Sequence, residues 1–60
     1  MKFTNEQIEW TRALYGTCIG SEECSAWVAN EAKVKYGLSL EDAETLTGLA
    51  FNKWVEAYTK

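Results

Sequence analysis

The stretch Tyr36-Gly37-Leu38-Ser39-Leu40-Glu41-Asp42-Ala43 closes one helical pattern and opens the longest one within a few residues, and the rest of the chain is organised around it. Gly37 reads as a stop, because a glycine just past a helix adopts the left-handed conformation that satisfies the last carbonyls without a Cβ penalty. Ser39 reads as a start. Its hydroxyl can accept from an orphan amide of the next helix, Asp42 can reach back, and Glu41, Asp42 and Glu44 place negative charge at the positive end of the helix dipole.

Two further helices precede this junction. Phe3-Thr4-Asn5-Glu6-Gln7-Ile8 carries a capping box, Thr4 with Gln7, inside a hydrophobic staple formed by Phe3 and Ile8. Ile8, Thr11, Leu14, Tyr15, Cys18 and Ile19 then recur at helical spacing and define one face. Gly16 and Gly20 bracket the end of that helix. Ser21 is expected to cap the second helix, with Glu22 and Glu23 in its first turn. Its inward face would be Cys24, Trp27, Val28, Ala32 and Tyr36. Glu31 and Lys35 project from nearly the same side and Val34 sits beside Trp27, so the apolar surface is split. A Glu31–Lys35 pair at i,i+4 could bridge two apolar stripes, each packed on a different helix, or it could lie at an intermolecular contact.

The third helix has the clearest period, with Leu40, Ala43, Thr47, Ala50, Phe51, Trp54 and Tyr58 on one face. It is too short and too aromatic for a free-standing coiled coil and should pack in a bundle. Gly48 lies inside it, at a cost of about 1 kcal/mol relative to alanine. The sequence therefore predicts an all-α protein, a small three-helix bundle with helices at about 5–16, 22–36 and 40–58, in a single domain over 1–60.

A chain of sixty residues buries only about 60% of its unfolded surface. One small core of this kind rarely supplies more than about 3–5 kcal/mol net. Dimerisation would complete such a core, and three Trp, three Tyr and two Phe provide either a dense interior or a core plus an anchor surface.

Nine acidic against six basic residues give a net charge of −3, and the cations Lys2, Arg12, Lys33, Lys35, Lys53 and Lys60 are scattered. Both features argue against binding to a phosphate backbone. No stretch approaches a membrane span and the start of the chain has no apolar leader core, so the reading is soluble and cytoplasmic. Cys18 and Cys24 are the only cysteines. In a reducing cytosol they are expected as two small buried thiols rather than a disulfide. With no histidine, and with C-x5-C spacing, neither a zinc site nor a thioredoxin-like site fits.

Catalytic constellations are missing as well. There is no general base, phosphate loop or nucleophile elbow, and the carboxylate pairs Glu22/Glu23 and Glu41/Asp42/Glu44 are accounted for as helix first turns. No catalytic, cofactor or metal residues are assigned. What remains is an interaction surface. Leu46 at the margin of the third helix's seam, and Leu49 nearly opposite that seam beside Lys53 and Glu56, make a small apolar patch with a polar rim. Trp10 falls off the main stripe of the first helix and serves either a wide core or a second anchor.

The expected function is accordingly a non-enzymatic protein-binding module, a small acidic inhibitor or adaptor of the sort phages and mobile elements encode, with imitation of nucleic acid as a variant. The partner would be another protein, and a homodimer would cover the same patch. The alternative is a helix-turn-helix DNA-binding protein reading with the third helix, whose outward Glu41, Glu44, Thr45, Asn52, Lys53 and Glu56 offer one cation among three carboxylates. A thiol redox role for Cys18 and Cys24 comes third.

Overall fold

The structure, a computed structural model, describes residues 3–59. The cations Lys2 and Lys60 lie outside the described residues. Three helices follow one another: α1 (Asn5–Cys18), α2 (Cys24–Tyr36) and α3 (Leu40–Thr59). They pack into an all-α three-helix bundle in which α3 lies against both other helices, while α1 and α2 pack against each other least.

The local signals at three helix ends act as the sequence implies. Thr4 Oγ1 accepts from the Gln7 amide at 3.1 Å and the Thr4 amide donates to Gln7 Oε1 at 2.9 Å, so the capping box is closed. Gly37 adopts φ 64° and ψ 37°, and its amide and that of Leu38 both donate to the Lys33 carbonyl. This arrangement satisfies the end of α2 at a backbone geometry that favours glycine. Ser39 Oγ accepts from the Asp42 amide at 3.2 Å and opens α3.

The α1–α2 connection differs from expectation. Helix α1 runs through Gly16 and stops at Cys18, inside the window set by the two glycines but past the boundary at 16. A Cβ at Gly16 would meet the Trp54 indole at 3.7 Å, ordinary contact, so that side of the helix is already covered. Helix α2 starts at Cys24, and Ser21 does not cap it; the Ser21 hydroxyl accepts from the Glu23 amide at 3.3 Å within the preceding turn. Glu22 and Glu23 therefore precede the helix instead of forming its first turn. The cause is a covalent one. Cys18 and Cys24 are joined in a disulfide with Cα atoms 5.4 Å apart, which corrects the expectation of two free thiols. Drawing Cys24 back to the end of α1 uses residues 19–23 as a turn, and Gly20 at φ 102° lets the chain reverse there.

The core comprises Thr11 and Tyr15 from α1, Cys24, Val28, Ala29 and Ala32 from α2, and Ala43, Leu46, Thr47 and Ala50 from α3. The two buried threonines satisfy themselves: Thr11 donates to the Gln7 carbonyl and Thr47 to the Ala43 carbonyl, each at 2.8 Å. Among the described residues no buried side-chain polar atom is left unpaired, where it would cost about 1–3 kcal/mol.

Two apolar faces sit differently from the sequence expectation. In α3 the inward arc is Ala43, Leu46, Thr47 and Ala50, with Trp54 half-buried, while Leu40, Phe51 and Tyr58 are exposed. Small side chains bring the α3 backbone close to its neighbours, and Leu46 fills the space between them. Tyr58 instead stacks on Trp54 with ring centroids 5.0 Å apart. In α2, Trp27 is 44% exposed and lies outside the buried core, beside the disulfide turn. Glu31 and Lys35 form no ion pair, Glu9–Arg12 at 2.9 Å being the ion pair seen among the described residues.

Gly48 is exposed in the middle of α3, and a Cβ there would meet nothing within 4 Å. Replacing it by alanine removes backbone entropy from the unfolded chain without a clash. Gly48→Ala is expected to raise stability by about 1 kcal/mol, read as a higher urea midpoint at unchanged slope.

Candidate protein interface

The five residues expected to form an interaction patch separate into three environments. Leu46 is wholly buried and is a core residue, which corrects its assignment to a surface patch. On α3 it shares the inward arc with Ala43 and Ala50, so α1 and α2 enclose it. Leu49 is 41% exposed, and Lys53 and Glu56 continue its row at steps of four and three residues. Lys53 and Glu56 line a charged furrow between α3 and α1 together with Glu9, Arg12 and Ala57. Three of the expected residues are thus brought together, on a stripe with an apolar start and a mixed-charge end.

Trp10 is half-buried and engaged within the chain. Its ring meets Tyr36 edge-on with centroids 5.6 Å apart, and the Lys35 ammonium lies 5.0 Å from the indole centroid and 5.6 Å from the Tyr36 ring. Lys35 serves this cation–π contact instead of pairing with Glu31. Burial, and then the nearby Glu6 carboxylate, push the Tyr36 phenol above its ordinary range. Because the folded state favours the neutral phenol, this contribution is fully present below the unfolded value near about pH 10 and is lost as pH rises through the higher folded value. Spectrophotometric titration at alkaline pH should show one late-ionising tyrosine that Tyr36→Phe removes and Glu6→Gln shifts downward.

A broader concavity than the furrow lies elsewhere, between α2 and α3. It is an open groove of about 590 Å³. Ala26 and Ala29 of α2 face Thr47 and Gly48 of α3 across its floor. Tyr15 anchors one end: its hydroxyl and that of Ser25 are hydrogen-bonded at 2.8 Å, and its ring packs against Phe51 at 5.3 Å between centroids. Phe51 is still 39% exposed there. Two carboxylate residues, Glu22 and Glu44, belong to the lining, and no lysine or arginine does. Sequence reading by single helices missed this site, because its members lie on different helices and each alone is ordinary. The one available hint was Gly48, a glycine within a strongly periodic helix.

A second exposed apolar row lies on α2, where Trp27, beside the disulfide turn, is 44% exposed and Val34, seven residues on, is 75% exposed. Among the described residues, no helix is long and apolar enough to cross a membrane, and no three metal-ligating side chains are grouped. In comparisons with known proteins, no family model, curated protein or solved structure matches this chain.

Proposed function

We propose that this chain is a non-enzymatic protein-binding module, a small acidic inhibitor or adaptor that works by stoichiometric binding to a partner protein. The observation that carries the reading is the α2–α3 groove, which is open, floored by small apolar residues and bordered by carboxylates. Gly48 forgoes about 1 kcal/mol of helix stability at a point where nothing in the chain occupies the space. A close-approaching partner gives that sacrifice a use. The aromatic Phe51 at the groove end supplies the kind of side chain that dominates binding energy.

The Leu49 stripe supports a homodimer as a separate contact. Leu49, Lys53 and Glu56 form a self-complementary row of apolar and oppositely charged groups, as an isologous two-fold contact needs. The Cys18–Cys24 bridge weighs against cytoplasmic placement, because a reducing compartment would favour the thiols.

Light scattering tests both contacts. The free chain is expected to run as a dimer and Leu49→Glu as a monomer; equal masses would remove the dimer. A partner captured from native lysate should form a complex of fixed stoichiometry that Phe51→Ala weakens. Retention of the free chain on heparin at physiological salt would instead favour the DNA-binding alternative.

A further inference from the structure

We infer that the Cys18–Cys24 bridge is a reversible redox latch on the start of α2: reduction lets the helix grow back through Glu23 and Glu22 to a cap at Ser21. The inference stands apart from the binding reading. It begins with a helix signal that the bridged chain does not use. Ser21 followed by Glu22 and Glu23 has the cap residue and the acidic first turn of a helix start, yet α2 begins at Cys24, and its cap position, Glu23, makes no side-chain bond to the helix. The first amides of α2 show the consequence. Cys24 donates to the Ser21 carbonyl at 3.3 Å and Trp27 to the Glu23 carbonyl at 2.9 Å, while the amides of Ser25 and Ala26 have no such acceptor among the described residues. In a helix begun at Glu22, Ser25 donates to the Ser21 carbonyl and Ala26 to the Glu22 carbonyl in ordinary i→i−4 bonds.

The turn already stands close to that state. The Ser21 hydroxyl accepts from the Glu23 amide at 3.3 Å, the bond an N-cap makes to the second residue of its helix. Glu23 sits at φ −98° and ψ 6°, beside the helical basin near about −63° and −42°. The bridge keeps it there, because it holds the Cα atoms of Cys18 and Cys24 5.4 Å apart and residues 19–23 must reverse the chain within that span.

Both the access and the reduced form are provided for. The bridge borders a surface hollow with Thr17, Ser21, Glu23 and Trp27, where Cys18 is half-buried and Cys24 is buried. A small-molecule thiolate therefore attacks Cys18 Sγ. The S–S bond breaks, and its electron pair leaves on Cys24 Sγ, which takes a proton. A second thiolate then attacks the outer sulfur of the mixed disulfide, and Cys18 Sγ leaves and is protonated in turn. The chain gains two electrons and two protons, and two thiols become one disulfide. The Tyr15 carbonyl lies 3.5 Å from Cys18 Sγ and 3.6 Å from Cys24 Sγ, so each freed thiol has an acceptor where its sulfur stands. Glu22 and Ser25 also line the α2–α3 groove, so the same step reshapes the edge of that groove.

The test compares the isotope-labelled full chain with and without dithiothreitol by NMR. On reduction the Cα shifts of Glu22 and Glu23 should move to helical values, and amide exchange at Ser25 and Ala26 should slow by about fivefold or more; oxidised glutathione should restore the starting spectrum. Ser21→Ala should at least halve the shift change in the reduced chain, whereas Ser39→Ala, at the start of α3, should leave it intact. Cys18→Ala/Cys24→Ala should show the helical shifts without reductant. Repeating the reduction in Gly48→Ala gives the chain a larger stability margin. Unchanged Glu22 and Glu23 shifts, unchanged Ser25 and Ala26 exchange, or unfolding of the reduced Gly48→Ala chain overturns the proposal. An extension indifferent to Ser21→Ala overturns the cap. None of these readouts involves a partner, so their failure leaves the binding reading as it stands.

Discussion

Leu46→Ala is expected to leave the chain largely unfolded at room temperature. Leu46 is wholly buried and is the largest of the fully buried side chains. Truncating a buried leucine costs about 2–5 kcal/mol, the transfer term plus the cavity that remains. A domain of this size has only about 3–5 kcal/mol to lose. The matched control is Leu49→Ala, three residues along the same helix and 41% exposed, for which a change within about 0.5 kcal/mol is expected. Urea titrations followed by circular dichroism at 222 nm decide the matter. If the two variants shift the midpoint equally, the inward arc of α3 is wrong and the surface assignment of Leu46 returns.

Reduction of the Cys18–Cys24 bridge is expected to cost roughly 2 kcal/mol, the loop-closure value for so short a cross-link. The bridge joins residues six apart in sequence, and it ties together the helix pair that packs least. Cys24 is also a core residue beside Tyr15 and Val28. Reducing the wild-type chain therefore isolates the covalent term, whereas Cys18→Ala/Cys24→Ala adds lost burial. Thermal melts with and without reductant should separate by several degrees. Thiol counting under denaturing conditions without reductant should find no free cysteine. Two reactive thiols in that assay, with coincident melts, would restore the unbridged reading.

The stability at stake in both experiments is small, and this bears on function. If the chain binds a partner as proposed, so thin a core gains stability from any partner that contacts only the folded form. Occupation of the groove should therefore raise the melting temperature, and more so in the reduced chain, where the margin is smaller. That coupling also explains how a glycine can persist at position 48. Under the proposed binding function, its cost of about 1 kcal/mol would be offset in the complex.

Helix order and turn chemistry were legible before any tertiary contact was considered. Thr4 with Gln7, Gly37, and Ser39 each act through backbone groups a few residues away, so a short window of sequence contains the whole interaction. The facing of α3 was not legible in this way. Leucine, alanine, phenylalanine, tryptophan, valine and tyrosine surround most of its circumference, and several arcs are comparably apolar. Which arc is buried depends on where α1 and α2 stand, and that selected Leu46 over Leu40 and Tyr58. Trp10 illustrates the same point, since its partner Tyr36 is distant in sequence and near only after α2 has folded back.

The candidate site divides similarly. Leu49, Lys53 and Glu56 could be grouped from spacing alone, because they share one row of one helix. The α2–α3 groove could not, because Ala26, Ala29, Thr47 and Gly48 acquire a common purpose only when two helices are laid side by side.

By itself, then, the sequence determined the number of helices, most of their boundaries and the acidic balance of the surface, all properties of local backbone chemistry or of simple composition. Tertiary structure alone decided that Cys18 and Cys24 are bonded, that Leu46 is interior, and that Glu22 and Glu44 border one groove. The first depends on how the turn between α1 and α2 brings two nearby cysteines together, and the other two on how three short helices pack, none of which a single helical pattern encodes.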